Sequence, residues 1–266
     1  MLYSLHLSLF DYYLPEPARQ QFVGAANYLA LLGDGRFWNA FLNTVLIVMT
    51  ALGVQLAVGL ALALGLYRLP PRGARVLTVL MFLPNIVTPV VGALFLRWMF
   101  VSQWGLLDVA LTLLGISPVN WLGHPLWAKL TIVLADSWRQ APFVMLVLYA
   151  GLLGLDRDTI EAGVIDGAAG ARLLAHVIVP ALRPVILFVL VIRTMDLFRI
   201  FDVIYVLTGG GPGTATETMT LYTYTLAFQL LEIGKASALG VLTTVVSSAV
   251  IGGLILLTYR RERGAF

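Results

Sequence analysis

Cysteine is absent from this sequence, which excludes disulfides, thiolate metal sites and cysteine nucleophiles. Histidine is scarce: His6, His124 and His176 stand far apart and offer no metal-ligand spacing. Charge is thin as well, with 12% of residues Asp, Glu, Lys or Arg against 59% hydrophobic and a mean hydropathy of +0.90. So few polar side chains cannot cover a soluble domain of this length, and a bilayer is the natural solvent. The net charge of +3 does not indicate nucleic acid, because the basic residues are spread between apolar stretches rather than gathered in a patch. Nothing in the pattern resembles a catalytic centre or a metal site.

What the sequence has in quantity is long apolar runs. A bilayer core needs about 20 apolar residues as helix, and five stretches qualify: Trp38 to Tyr67, Arg75 to Phe100, Trp127 to Leu153, Leu182 to Leu207 and Lys235 to Tyr259. The expected fold class is an all-α polytopic bundle, with residues 1–266 as one transmembrane domain. Residues 1–10 are apolar but too short to cross, and lack the basic start and cleavage site of a signal peptide. They read as the remnant of a first, partial span or as an amphipathic stub on the surface.

Short-loop arginines set the expected orientation. Arg68, Arg72 and Arg75 follow the first full span, Arg157, Arg172 and Arg183 the third, and Arg260, Arg261 and Arg263 the last. These three groups belong on the cytoplasmic side, which puts the C-terminus there. The alternate connections, 11–36, 101–126 and 208–234, carry only Arg19 and Arg36. Trp38, Trp98, Trp104, Trp121 and Trp127 sit near the opposite boundary, as in an aromatic belt.

The connection at 156–180 is longer than a hairpin of helices requires. Asp158 or Thr159 can cap a helix with Glu161 in its first turn and Ile160, Val164 and Ile165 as an apolar edge. Gly167 then allows a sharp turn and close approach by another backbone, and a second short helix from Arg172 to Val179 ends against Pro180 and Pro184. Such a segment suits docking to a cytoplasmic protein. The Gly209–Gly213 run, by contrast, reads as a tight turn after a span. No Gly-Lys-Ser/Thr follows it, so it is not a phosphate loop.

Ionisable side chains at mid-span cost roughly 2.5 to 3.5 kcal/mol each and so face protein or water. Asp136 and Arg139 stand at i and i+3 beside Gln140 and the kink expected at Pro142, and Arg193, Asp196, Arg199 and Asp202 alternate in sign. At 1.5 Å per residue, Asp136 and Arg193 share a depth of roughly 14 Å. Asn85, Asp136, Gln140, Phe143, Arg193 and Asp196 offer hydrogen-bonding groups and an aromatic face that a polar substrate could use. The same charges also suit an ion-pair ladder holding helices together, and both readings stand at this level.

The 156–180 segment resembles the EAA motif of ABC importer permeases: Glu161, Ala162 and Gly163, then Gly167, then Val177, Val179 and Pro180 at the family's spacing. It departs at Gly163, where the family has alanine, a change expected to loosen the helix by roughly 1 kcal/mol. Phe201 to Gly213, Thr216 to Thr218, Ala236 to Ala238, Leu83 with Pro84, Asn120 to Leu122, and Trp138 with Pro142 and Phe143 resemble the sugar-permease branch of that family. Within it, Arg193 to Asp202 is most similar to permeases of trehalose and related disaccharide importers. The resemblance implies a type I permease core with five complete spans and a partial sixth in the bacterial inner membrane. It also implies a second homologous permease, an ABC ATPase dimer that uses ATP and magnesium, and a periplasmic or lipid-anchored sugar-binding protein. The chain itself would bind no cofactor. Glu161, Ala162, Gly163, Asp166, Gly167 and Ala168 would couple it to the ATPase. The alternatives are a proton-coupled secondary transporter using the intramembrane acids, which leaves the 156–180 segment without a task, and a membrane enzyme, which lacks a visible nucleophile.

Overall fold

The computed structural model describes residues 2–16, 18, 20–165 and 168–263. Its helices are α1 (Leu2–Leu7), α2 (Ala26–Leu32), α3 (Gly35–Tyr67), α4 (Pro71–Ile86), α5 (Pro89–Met99), α6 (Leu106–Leu113), α7 (Pro125–Leu153) and α8 (Arg157–Ile165). They continue as α9 (Ala171–Ala181), α10 (Arg183–Phe198), α11 (Asp202–Leu207), α12 (Met219–Tyr224) and α13 (Ile233–Arg263). Two short strands, β1 (Phe10–Asp11) and β2 (Gln21–Phe22), pair antiparallel with Phe10 opposite Phe22.

Among the described residues, two helices are long and apolar enough to cross a bilayer: α3, with 33 residues, and the Ile233–Leu256 stretch of α13, with 24. The pairs α4 with α5 and α9 with α10 qualify only if each broken pair is one span. α7 is 29 residues long, but Lys129, Asp136 and Arg139 lower its hydropathy.

Two of the expected continuous spans are therefore interrupted. Between α4 and α5 the backbone turns extended at Val87 (ψ 130°). Pro84 has no N–H to continue the ladder, and Pro89 disfavours helix at Thr88. The run from Leu182 to Leu207 stops at Phe198 and restarts at Asp202, with Phe201 at φ −130° between them. Arg199 and Asp202 thus lie on opposite sides of a break, and the alternating charges do not form one continuous ladder.

The chain divides into two compact units, one of Met1–Thr50, Pro89–Ala135 and Thr194–Gly252, the other of Ala51–Thr88, Asp136–Arg193 and Gly253–Phe266. In the first, Leu31, Phe37, Ala40, Met219, Tyr222, Leu226 and Leu239 are buried together. A polar seam runs beside them. Arg36 donates to both Glu217 carboxylate oxygens at 2.8 and 2.7 Å, and Tyr222 donates to Asp34 at 2.7 Å. Asn43 donates to the carbonyls of Thr214 and Glu217, and Thr44 Oγ1 accepts from the Met219 N–H. These bonds hold the turn at 209–213, where Gly209, Gly210 and Gly213 all adopt positive φ, a region other residues enter only under strain. The tight turn read from the sequence is what the backbone forms.

In the second unit, Ala63, Leu66, Val144, Met145, Leu148, Leu152, Leu182 and Val189 form the apolar centre. Helices α9 and α10 meet there at a bend of 72°. Pro180 and Pro184 flank it, and Leu182 at the corner is fully buried. A wide π turn over Leu174–Ile178 precedes Pro180, which has no N–H to continue an α-helical ladder.

Candidate functional site

Within the second unit, the two charge clusters that the sequence places at one depth meet. Arg193 donates through Nη2 to Asp136 Oδ2 at 2.8 Å and through Nε to Gln55 Oε1 at 2.9 Å. Gln55 Nε2 in turn donates to the same Asp136 oxygen at 2.8 Å. The triangle is closed and buried: Asp136 is 3% exposed and Arg193 1%. Arg139 stands 3.7 Å from the other Asp136 oxygen. Glutamine oxygen and nitrogen are distinguished by their surroundings. Turned toward the guanidinium groups, the Gln140 oxygen accepts from Arg139 Nη2 at 2.7 Å and from Arg193 Nη1 at 3.3 Å. Asn85, half-buried, donates to the Arg139 carbonyl at 3.2 Å.

The structure thus brings together four of the residues singled out for a substrate path: Asn85, Asp136, Gln140 and Arg193. Of these, Asp136 and Arg193 are committed to each other and to Gln55. Phe143, only partly buried, packs against the apolar cluster of Val144 and Leu148. Asp196 lies three residues beyond Arg193 on α10, exposed. Gln55 was missed by the sequence reading. The one available signal was a single amide in the otherwise apolar middle of α3, where a polar side chain must find a partner.

The 156–181 segment forms two helices within the same unit. Asp156 caps α8, its Oδ1 accepting from the Asp158 N–H at 3.1 Å, so Asp158 lies inside the helix, and the Thr159 side chain lies outside the described ones. Glu161, Ala162, Val164 and Ile165 are exposed, so the helix presents an apolar tip beside an acidic first turn. Gly163 faces inward. A methyl group there would come within 2.9 Å of Val177 Cγ2 and 3.3 Å of Leu173 Cδ1. Its glycine therefore permits α8 to lie close against α9, and the expected loosening of the helix is offset by that approach. Ala168 donates its N–H to the Gly163 carbonyl at 3.0 Å. Asp166 and Gly167 lie outside the described residues. The second helix begins at Ala171 and runs through Pro180 to Ala181 rather than stopping before that proline.

In the first unit the connection from α5 to α7 is organised by Asp108, 1% exposed. It accepts from the N–H groups of Gln103 and Val119, at 2.8 and 3.2 Å, and from the Trp121 indole at 2.9 Å. Burial pushes this carboxyl up, but the three donors outweigh it and hold it below the usual carboxylate range. Among the described residues no cluster of His, Cys, Asp or Glu could hold a metal ion.

Comparison with known proteins places this geometry. Residues 55–263 match the family described as binding-protein-dependent transport system inner membrane component. The trehalose/maltose transport system permease protein MalF of Thermococcus litoralis is 39% identical over 252 residues, 94% of this chain and 83% of the relative. The trehalose transport system permease protein SugA of Mycobacterium tuberculosis is 34% identical, over 90% of this chain and 76% of its own. Among solved structures, a chain of a bacterial ABC transporter involved in the import of the acidic polysaccharide alginate superposes with a TM-score of 0.82 at 21% identity. That match covers 96% of this chain and 88% of the other. The fold is that of an ABC importer permease, and the matched residues include both the buried Gln55–Asp136–Arg193 triangle and the paired helices α8 and α9. The chain belongs to the binding-protein-dependent transport system inner membrane component family: it is a membrane permease subunit, not an enzyme.

Proposed function

We propose that this permease carries a sugar, a disaccharide of the trehalose or maltose kind, as one of two homologous permeases in an ATP-driven importer. The relatives named for trehalose and maltose support the substrate class. A structure of the alginate transporter bound to a loaded periplasmic protein supports delivery by a binding protein. In this reading five complete spans cross the inner membrane, the C-terminus is cytoplasmic, and a separate ATPase dimer uses ATP and magnesium below. The observation that carries the coupling role is the exposed apolar tip of α8, with Val164 and Ile165 beside Glu161. An apolar, small-faced helix end of that kind fits a groove on another protein. Glu161, Ala162, Asp166, Gly167 and Ala168 would make that contact, and Gly163 would keep α8 tight on α9. The sugar path would follow Asn85, Gln140 and Phe143, with Asp136 and Arg193 holding that wall and Asp196 on the exposed face of α10.

The proton-coupled alternative gives α8 no task. Co-purification of the tagged chain with candidate ATPase, permease and binding-protein subunits tests the proposal, beside Glu161→Lys and Ile165→Asp. The wild type should retain an ATPase and both variants should lose it, with sugar uptake lost in parallel. Uptake that persists without ATP but stops with the proton gradient would overturn it.

A further inference from the structure

The 26 residues between Arg97 and His124 include a single ionisable side chain, Asp108. Water-facing connections are rarely so bare of charge. The one charge is also withdrawn from the surface, fully buried under its three donors. Asp108 therefore fixes α6 by its inner face, with the partly covered Leu107 and Leu111 alongside, and turns the other face outward. That outer face is mainly apolar: Leu106, Val109 and Leu113 on the helix, Leu114 and Ile116 after it, and Trp104 before it are all exposed, Trp104 at 85% and Leu113 at 83%.

The patch is continuous with apolar surface on the helix before it. Val90, Val91, Leu94, Phe95 and Trp98 are exposed along α5, and the chain passes from Met99 into the α6 patch through a tight turn at Gly105. A side chain there would collide with the carbonyls of Met99 and Val101. The turn thus lays α6 directly after a helix of a membrane subunit, with no charged residue and only Ser102 and Gln103 as polar residues between them.

We propose that α6 is an interfacial helix whose exposed face lies in the lipid headgroup and upper acyl region. A protein partner of water-soluble chemistry would meet polar rim groups here, and α6 presents only Thr112, whose hydroxyl is turned back onto the Asp108 carbonyl at 2.7 Å. A lipid surface requires only apolar area and an aromatic at the boundary, which Leu106, Val109, Leu113 and Trp104 supply. The usual polar face of an interfacial helix is here turned into the fold, where Asp108 anchors it.

The absence of cysteine makes the test direct. Leu113→Cys is introduced into the full chain, labelled with an environment-sensitive fluorophore and reconstituted in nanodiscs with its co-purifying subunits. Phosphatidylcholine brominated high on the acyl chain should quench the label about twofold or more, and aqueous iodide should quench it little. Asn120→Cys, exposed in the same connection, should show the reverse. Leu106→Cys, two helical turns away on the same face, repeats the measurement should the first label disturb the turn. Quenching by iodide would make α6 water-facing and overturn the proposal. Protection from both quenchers would mean that protein covers the helix, and would overturn it equally.

Discussion

Two ion pairs, one in each unit, have nearly the same length and different surroundings. Arg193 meets Asp136 at 2.8 Å with both side chains almost fully enclosed, whereas Arg36 meets Glu217 at 2.7 Å with 36% of the arginine side chain exposed. The buried pair has paid desolvation twice and offsets it with mutual attraction and the added bonds from Gln55 and Gln140, so losing either partner leaves the other undercompensated. The half-exposed pair can hand its arginine to water, and the shape of its turn rests as much on the Asn43 and Thr44 bonds. Geometry alone would rank the pairs as equals; burial separates them.

The largest effect expected from breaking this comparison is at Asp136 and Arg193. Asp136→Asn or Arg193→Ala should each cost about 3–5 kcal/mol by leaving an unpaired buried charge or its unmatched donors. The double variant should cost less than the sum, with a coupling of about 1 kcal/mol or more. Thermal unfolding of the purified subunit in mild detergent measures both. Additive losses would show that the two side chains do not act as a pair.

Asp108 sharpens the contrast, because it is a buried carboxylate held by neutral donors and no cation. Asp108→Asn turns one acceptor into a donor facing a donor, at an expected cost of about 1–3 kcal/mol. Since the folded pKa is depressed, the stabilisation is present above the unfolded carboxylate value near pH 4 and is lost as pH falls through the folded one. Acid titration of tryptophan emission should therefore report release of Trp121 below about pH 4 in the wild type, and no such step in the variant. A step retained in the variant would assign it to another group.

The smallest effect is expected at Glu217. Glu217→Gln keeps the shape and removes the charge, so it should cost about 1 kcal/mol or less after allowance for solvent around Arg36. A loss as large as that at Asp136 would mean that the seam holding the glycine turn depends on the charge itself.

Much of the helical fold was legible because apolar runs report the solvent. Less legible were the places where the backbone, rather than hydropathy, decides. Pro84 and Pro89 were visible, yet an average over apolar residues reads through them, and Arg75 to Phe100 looked like one span. At the candidate site, Asp136 and Arg193 were found because charges in apolar runs are rare. Gln55 was overlooked because one neutral amide barely changes a hydropathy average. Gly163 was read as a weakened helix because local propensity cannot see Val177 arriving from α9. Arg36 and Glu217, 181 residues apart, carry no sequence mark of their pairing.

The corner at Leu182 has a mechanical consequence. Backbone bonds bracket it, from the Leu182 N–H to the Ile178 carbonyl and from the Ile186 N–H to the Leu182 carbonyl, each at 2.9 Å, and the corner side chain is enclosed. It is a fixed crank and not a hinge. Ala171 and Arg193 lie eleven residues to either side, so the two arms are each about 16 Å long. A push of an ångström across the end of α9 would therefore arrive at Arg193 with little gain or loss in size.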